Sequence, residues 1–451
     1  MIDLTGTITK RLRNGLLFGV LCFAIAGCDY LDEWFTKPKP PLPGKRISVM
    51  VSQRTITPDA TLKDKAILLP PPTPNPDSPQ AGGYANHAMH HVQVGDSIKP
   101  VWKEDIGDGS GSEVRLIASP VVAKGSVFTI DADSEVRAYS AKDGRRLWAN
   151  DVTPKKDNDG HMPGGVAYEN GRVFVSTGFA EVIALNATNG QVLWRRNLGG
   201  PMRAAPTVRG GRVFVITLDN KLHALSAKSG KVLWTFVGVS EASSLLGSAS
   251  PAVDSGVVVA PFSSGELVAL RVESGKLLWS DTLSTARRRT ASISTLSHIR
   301  GRPVIDRGRV FAVSHGGIIA AIDLRTGRRI WDRPIGSHES PWVVGDYIFM
   351  LTNDSELVAL SRDTGRVYWV LALPRHINND IKKPGIIWTG PLLASDRLII
   401  VGSHGQAFAV SPYSGKIIGV EKMPNGVTVS PVVADRTVYF LTDDADLIAY
   451  R

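Results

Sequence analysis

The sequence predicts an all-β fold, an eight-bladed β-propeller of four-stranded antiparallel blades that is closed by N- and C-terminal strands in one blade. One observation behind this prediction is a repeated unit, in which a glycine follows an alanine by six residues and a tryptophan follows the glycine by four. A second is the spacing of the copies, roughly 40 to 50 residues, which is typical of a repeat architecture. The third is that the two ends of the repeat region are incomplete in complementary ways.

The repeated unit reads Ala-(Leu/Ile/Tyr)-x-x-x-x-Gly-x-x-x-Trp. The tryptophans of this frame are Trp102, Trp148, Trp194, Trp234, Trp279, Trp331 and Trp369. A further copy begins at Ala409 and has Gly419 where tryptophan is expected. The glycine of each unit permits a sharp turn before the outer strand. We expect each indole ring to dock against the neighbouring blade.

Residues 206–236 illustrate how each copy divides into strands. The apolar runs in this copy are Pro206–Val208, Val213–Ile216, Leu222–Leu225 and Lys231–Trp234. Asp219, Asn220 and Gly230 lie between these runs, and such residues tolerate the positive φ of tight hairpins. The copy therefore predicts four antiparallel strands, which form one propeller blade.

The two ends of the repeat region complete each other. Residues 427–451 supply three strands and stop before a fourth, whereas residues 98–106 resemble an outer strand without its first three. Joined, they make one blade and bring the number of outer strands to eight. Closure of this kind removes exposed sheet edges. We therefore predict one propeller domain over residues 98–451.

The N-terminus indicates an exported lipoprotein. Lys10, Arg11 and Arg13 precede a short apolar stretch, 15–26, and Cys28 follows. This order resembles a bacterial lipobox, which predicts a signal peptide over residues 1–27, cleavage before Cys28 and acylation of that thiol with chains such as palmitate. The alternative is an uncleaved signal anchor with an incidental cysteine. We expect attachment to the periplasmic face of the outer membrane, while Asp29 leaves the inner membrane open.

Residues 28–97 are predicted to be a flexible, proline-rich tether that orders nothing. Proline clusters over 37–43 and 70–76 favour an extended, semi-rigid spacer. His87, His90 and His91 could be metal ligands or solvated linker residues. We favour the second interpretation because no other ligand accompanies them at a fixed spacing.

The charge of the chain is basic. Of the net +10, residues 1–27 carry +2, which leaves 10 − 2 = +8 for the remainder. Nucleic acid is disfavoured as a partner because no recognition helix or aromatic-basic motif is present. Basic runs at 287–289 and at Arg300 with Arg302 lie in the longest gap between repeats. They are either a solvated loop or a site for an acidic partner.

Acidic runs occur at 131–133 and 443–446. Both fall in the hairpin between the second and third strands of a blade, so turn chemistry explains them better than calcium binding. No hydrolase elbow, phosphate loop or zinc signature is present in the sequence.

The repeat resembles the tryptophan-docking repeat of pyrroloquinoline-quinone (PQQ) dehydrogenases over nearly all of residues 98–451. Eight such blades on a lipoprotein anchor most closely resemble the BamB-type outer-membrane assembly lipoproteins. That resemblance implies a non-enzymatic scaffold of the β-barrel assembly (BAM) machinery, without a cofactor, that contacts the POTRA domains of BamA. Two alternatives stay open, a periplasmic PQQ-dependent oxidoreductase subunit and a general cell-envelope scaffold. Quinoprotein dehydrogenases typically carry an adjacent cysteine pair, whereas this chain has only Cys22 and Cys28.

The resemblance also implies positions that contact BamA. Leu245-Leu246-Gly247 matches a family loop with Leu and Gly, and residues 293–300 match a second loop in their apolar positions but have His298 and Arg300 where acids are expected. Both loops join an outer strand to the next inner strand, so we expect them on one face of the disc. Leu245 and Leu246 are either exposed there or buried under a neighbouring loop. The predicted partner-binding residues are Leu245, Leu246, Arg288, Arg289, Ile293, Leu296, His298, Ile299 and Arg300.

Overall fold

The computed structural model describes residues 56–62, 65–155, 162–240, 247–284, 298–378 and 383–451. Within these ranges the regular secondary structure consists of β-strands and a single 3-10 turn at Ala60–Leu62. None of the helical structure in the described ranges is long and apolar enough to cross a membrane.

The strands form eight four-stranded antiparallel sheets, which confirms the predicted eight-bladed propeller. Strand β1 (Pro100–Asp105) comes first in the chain and belongs to the last blade. Blade 1 comprises β2 (Val121–Ala123), β3 (Ser126–Ile130), β4 (Glu135–Ser140) and β5 (Arg146–Asp151). Blade 2 comprises β6 (Gly165–Glu169), β7 (Arg172–Ser176), β8 (Glu181–Asn186) and β9 (Val192–Asn197). Blade 3 comprises β10 (Thr207–Arg209), β11 (Arg212–Ile216), β12 (Lys221–Ser226) and β13 (Val232–Val237).

The next three blades repeat this order. Blade 4 comprises β14 (Ala252–Asp254), β15 (Val257–Pro261), β16 (Glu266–Arg271) and β17 (Leu277–Thr282). Blade 5 comprises β18 (Val304–Asp306), β19 (Arg309–Val313), β20 (Ile319–Asp323) and β21 (Arg329–Arg333). Blade 6 comprises β22 (Trp342–Val344), β23 (Tyr347–Leu351), β24 (Glu356–Ser361) and β25 (Val367–Ala372). In blades 1 to 7 the first strand is innermost, since first strands of neighbouring blades contact one another.

A small hairpin, β26 (His376–Asn378) with β27 (Lys383–Gly385), separates blades 6 and 7. Blade 7 comprises β28 (Trp388–Ala394), β29 (Arg397–Gly402), β30 (Gln406–Val410) and β31 (Ile417–Lys422). Blade 8 comprises β32 (Val432–Ala434), β33 (Thr437–Leu441), β34 (Asp446–Tyr450) and β1. In that blade β1 pairs antiparallel with β34, with Trp102 opposite Ala449. The predicted completion of one blade by both ends of the repeat region is therefore observed.

The alanine of the repeat is the middle member of a row that crosses three strands. In blade 3, Phe214 pairs with Ala224, and Ala224 pairs with Trp234. The two aromatic rings meet over the small alanine, with centroids 5.9 Å apart. A larger residue at Ala224 would separate these rings, so the row explains why alanine occupies this position.

Each indole then contacts the following blade. The Trp234 Nε1 donates a 3.0 Å hydrogen bond to the carbonyl oxygen of Val272 in blade 4. Gly275 lies under the same ring, because a Cβ atom added there would be 2.6 Å from the indole. Gly275 also has a φ of +66°, which disfavours other residues. The other tryptophans of the frame donate equivalent bonds of 2.8–3.2 Å, to the carbonyls of Ala141, Ala187, Ala227, Leu324, Arg362 and Pro412.

Blade 7 lacks both aromatic members of this row. Ile399 pairs with Ala409, and Ala409 pairs with Gly419. An apolar cavity of about 200 Å³ lies at this position, between blade 7 and the Phe440 and Tyr450 side chains of blade 8. A Cβ atom on Gly419 would have only the Ala409 Cβ within 4 Å, at 3.6 Å. The cavity therefore marks the place that an indole fills in the other interfaces.

Residues 65–97 are not the flexible tether that the sequence analysis predicts. They pack against the propeller, and we call residues 67–95 the capping segment. The segment hydrogen bonds to the first strand or first hairpin of each of the eight blades. The pairs, from blade 1 to blade 8, are Ser78 with Val122, Pro79 with Tyr168, Gln80 with Val208, Ala85 with Val253, Asn86 with Ile305, His90 with Trp342, Val92 with Ser395, and Asn75 with Asp435.

The order of these contacts follows the ring. Asn75 bonds blade 8, and successive residues bond blades 1 to 7, so the segment makes one turn around the propeller axis. Val92 is 1% exposed and packs with Met89 and Val94 in a core cluster of blades 7 and 8. Proline-rich, irregular backbone gives no strand or helix period, which is why the sequence pattern indicates a linker. Hydrogen bonds to blade backbones hold the segment in place of its own secondary structure.

The histidines of this segment are structural. The buried His87 donates from Nδ1 to the Pro303 carbonyl oxygen at 2.8 Å. His91 donates from Nδ1 to the Pro70 carbonyl oxygen at 2.6 Å and accepts from the Asp396 backbone N–H at 3.0 Å. Their predicted role as solvated linker residues is wrong for His87 and His91, because both side chains are buried.

Removing the capping segment is expected to destabilise the propeller strongly. A soluble chain that begins at residue 96 loses the buried side chains of Met89, Val92 and Val94, each of which contributes about 1.5–3 kcal/mol. We expect its melting temperature to lie well below that of a chain that begins at residue 56. Differential scanning calorimetry of both chains makes the comparison. Equal melting temperatures would show that the segment orders nothing.

The indole row predicts opposite effects for two substitutions. Trp234→Ala is expected to lower the free energy of unfolding by about 3–5 kcal/mol, because it leaves a large cavity between blades 3 and 4. Gly419→Trp is expected to raise the melting temperature, because the new ring fills the existing cavity between blades 7 and 8. Lys416→Trp, at an exposed position just before β31, is the control. Destabilisation by Gly419→Trp equal to that by Trp234→Ala would contradict this account of the row.

Candidate partner-binding face

The two faces of the disc differ in what covers them. Because the four strands of a blade are antiparallel, the connections between blades and the second hairpin of each blade emerge on one side, which we call the connection face. The first hairpins lie on the other side, where the capping segment bonds them at Ser395 and Asp435. The capping segment therefore covers the face opposite the connection face.

The predicted partner-binding residues are only partly described. Leu245, Leu246, Arg288, Arg289, Ile293 and Leu296 lie outside the described residues. The residues that follow these two stretches, Gly247 and His298, are described and lie in the connections into blades 4 and 5.

His298 and Ile299 do not form the exposed surface that the sequence predicts. Ile299 is 0% exposed and packs with Leu283 and Ile305 in the core between blades 4 and 5. His298 is 2% exposed, and its carbonyl oxygen accepts a 2.9 Å bond from the His315 backbone N–H. These two buried side chains anchor the base of the connection. A partner therefore cannot contact these two side chains on the folded surface.

Arg300 brings the two predicted loops together. Its side chain is half-buried, and its Nε lies 3.3 Å from the position of a Cβ atom on Gly247. Gly247 directly follows Leu245 and Leu246, while Arg300 follows the loop that holds Ile293 and Leu296. Both predicted loops therefore end at the same point of the connection face.

This point is the mouth of a polar cavity on the propeller axis, about 70 Å³ in volume. Besides Arg300 and Gly247, its lining includes Arg203, Glu339 and Thr428, none of which the sequence analysis identified. The sequence does contain a signal for two of the arginines, because Arg203 and Arg300 each precede the first strand of their blade by four residues. A comparison of equivalent positions in successive repeats would have found it.

The acidic runs behave as turns. Asp131 accepts hydrogen bonds from the backbone N–H groups of Asp133 and Glu135 and forms a 2.6 Å ion pair with Arg137. In the described part of the chain, no group of three or more His, Cys, Asp or Glu side chains is placed to hold a metal ion.

Burial of His298 predicts a pH-dependent contribution to stability. Burial, together with the nearby Arg300 and His315, lowers the pKa of His298 to about 4. The unfolded chain has the ordinary histidine pKa of 6.5, so it takes up this proton first as the pH falls. The stabilisation is complete above pH 6.5 and is lost progressively between pH 6.5 and about 4.

We therefore expect His298→Gln to reduce the slope of the unfolding free energy against pH across that range. The reduction should be at most the contribution of one bound proton. Urea unfolding at several pH values measures the slope. His376→Gln, at a less buried position on β26, serves as the control. An unchanged slope in the His298 variant would show that this residue titrates normally in the folded protein.

The chain is similar to known proteins in both sequence and structure. The family model described as outer membrane protein assembly factor BamB matches residues 96–163 and 132–371. BamB of Salmonella typhimurium is 31% identical over 364 residues, which cover 79% of this chain and 90% of that protein. The crystal structure of BamB from Moraxella catarrhalis has a TM-score of 0.66 at 20% identity and covers 79% of this chain and 100% of that one.

Quinoproteins share the architecture. The quinohemoprotein alcohol dehydrogenase from Comamonas testosteroni has a TM-score of 0.63 at 14% identity, and the match covers 83% of this chain and 80% of that one. At this level of identity the likeness concerns the fold alone.

Proposed function

Because this chain belongs to the BamB family, we propose that it is a non-catalytic scaffold subunit of the β-barrel assembly machinery that aids insertion of outer membrane proteins. The convergence of two loops at Gly247 and Arg300 supports a protein-binding role for the connection face. The opposite face is occupied around its axis by the capping segment, which favours the connection face for a partner.

The partner in this proposal is the periplasmic POTRA region of BamA. Leu245 and Leu246 supply an apolar pair, and apolar pairs at the centre of an interface carry much of its affinity. Arg288, Arg289 and Arg300 supply positive charge, which speeds encounter with an acidic surface more than it tightens the complex. His298 and Ile299 act beneath the surface by fixing the connection from which the second loop emerges.

The proposal places the protein at the periplasmic face of the outer membrane. A signal peptide over residues 1–27 is removed, Cys28 is acylated, and the propeller of residues 98–451 remains attached through the chain between them. The Cys28→Ser variant would then be recovered as a soluble periplasmic protein. Its retention in washed membranes that lack BamA would contradict the lipid anchor.

Binding of this soluble propeller to purified BamA periplasmic domains tests the partner. We expect the double substitution Leu245→Asp and Leu246→Asp to weaken binding at least tenfold, because two carboxylates replace the apolar centre of the interface. Surface plasmon resonance measures the equilibrium and rate constants. Leu68→Asp is the control, since Leu68 is 77% exposed and belongs to the capping segment, away from the connection face.

Binding by the double variant tests the proposal when that variant is folded. Undiminished binding, with an unchanged melting temperature, would remove this face from consideration. Equal weakening by Leu68→Asp would point to a nonspecific effect of added negative charge and would also contradict the assignment.

A further inference from the structure

The axis of the propeller holds three arginines, and the described residues that line the space around them include a single carboxylate, Glu339. Arg203, Arg300 and Arg302 are each half-buried. Among the residues that the structure describes, none of the three forms an ion pair or a side-chain hydrogen bond. Arginine in a sheltered site is normally paired, so this cluster needs a physical explanation.

The arginines line a channel that is closed at one end. Two adjoining cavities of about 60 and 70 Å³ share Arg302, Glu339 and Ser430 in their linings. The first ends at Gly82 and His87 of the capping segment, and the second opens on the connection face beside Arg203 and Arg300. The capping segment is therefore the floor of the channel.

Arg302 lies at the junction of the two cavities. Its Nε is buried and has no hydrogen-bond partner. The same atom lies 3.1 Å from the position of a Cβ atom on Gly82, so the guanidinium contacts the floor of the channel. Burial lowers the pKa of Arg302, Glu339 opposes this shift, and Arg300 adds to it. A buried donor on a charged group is costly when no acceptor is present.

Glu339 does not neutralise the cluster. Its Oε2 accepts hydrogen bonds from the hydroxyls of Ser430 at 3.1 Å and Thr389 at 3.2 Å. It also accepts a long bond from the Gly390 N–H, at 3.4 Å. This carboxylate is therefore held at Oε2 by donors on blades 7 and 8, while its Oε1 lies 3.9 Å from the His338 Nε2. One negative charge against three positive charges leaves an excess of two positive charges around the channel.

We propose that the axial channel binds one oxyanion, a phosphate or a carboxylate group, which enters from the connection face and lies between Arg300 and Arg302. A guanidinium presents a fork of donors that matches the oxygens of either group. The hydroxyl of Ser340 lines the same space and offers a further donor, since it accepts a hydrogen bond from the Arg302 backbone N–H and keeps its own proton available.

The size of the channel fits one small group. A cavity with about 10–15 Å³ of free volume holds one water molecule. The free volume of about 70 Å³ therefore accommodates several waters or a single oxyanion. The site does not depend on the partner proposed above, because all the residues that form it belong to the described axis of this chain.

Ligand-dependent stability of the full-length Cys28→Ser chain tests the proposal. A ligand that binds only the folded protein raises its melting temperature as concentration increases. We expect sodium phosphate or sodium succinate to raise it above the value in sodium chloride of the same ionic strength, with saturation. Isothermal titration calorimetry then gives the dissociation constant. A rise with phosphate alone, with succinate alone or with both supports the site and identifies its chemistry.

Substitutions locate the effect. Arg302→Gln is expected to raise the dissociation constant at least tenfold, and Arg300→Gln, nearer the mouth, is a second variant should Arg302→Gln fail to fold. Arg145→Gln, at an exposed position on the blade 1 turn, should bind as the parent chain does. The proposal is overturned if neither anion stabilises the parent chain beyond chloride, or if the folded Arg302 and Arg300 variants are stabilised equally.

Discussion

The contact of an indole with the glycine of the following blade is the interaction on which the ring depends. It combines three requirements that only a particular sequence satisfies. The alanine of the row leaves room for the ring, the glycine lets the next blade approach it, and the Nε1 hydrogen bond fixes its orientation. Because the contact joins consecutive blades, its repetition sets the angle between blades and so the closure of the disc.

The ring is closed twice. Strand β1 completes blade 8 through pairing with β34, which ties the two ends of the repeat region by backbone hydrogen bonds. The capping segment then makes a second circuit on the other side of the sheet layer, from Asn75 at blade 8 to Val92 at blade 7. This second closure leaves the connection face as the open face and gives the axial channel a floor. The capping segment, which precedes β1, thus both closes the ring a second time and determines which face stays open.

The sequence predicts the blades well and their surroundings poorly. Trp234, Gly275 and their equivalents recur at fixed spacing, so local pattern and tertiary contact coincide. The capping segment gives no such pattern, because its bonds to eight blades occur at irregular intervals along proline-rich chain. The sequence wrongly predicts an exposed Ile299 for a related reason, since an apolar side chain in a connection fits a buried anchor as well as an exposed contact. Arg203 and Glu339 become neighbours only through the ring, which distances in sequence do not reveal.

Two glycines provide the most direct measurement of the indole contact. Gly275 and Gly256 have similar positive φ values, +66° and +77°, but only Gly275 lies under an indole, whereas nothing lies within 4 Å of a Cβ atom on Gly256. Alanine at either position incurs the same backbone strain, so the difference in unfolding free energy between Gly275→Ala and Gly256→Ala isolates the contact with Trp234. We predict that Gly275→Ala costs about 1–3 kcal/mol more, the range for overpacking a filled site, and that the difference disappears in a Trp234→Ala background. Equal costs for the two alanine variants would contradict the central role of the indole contact.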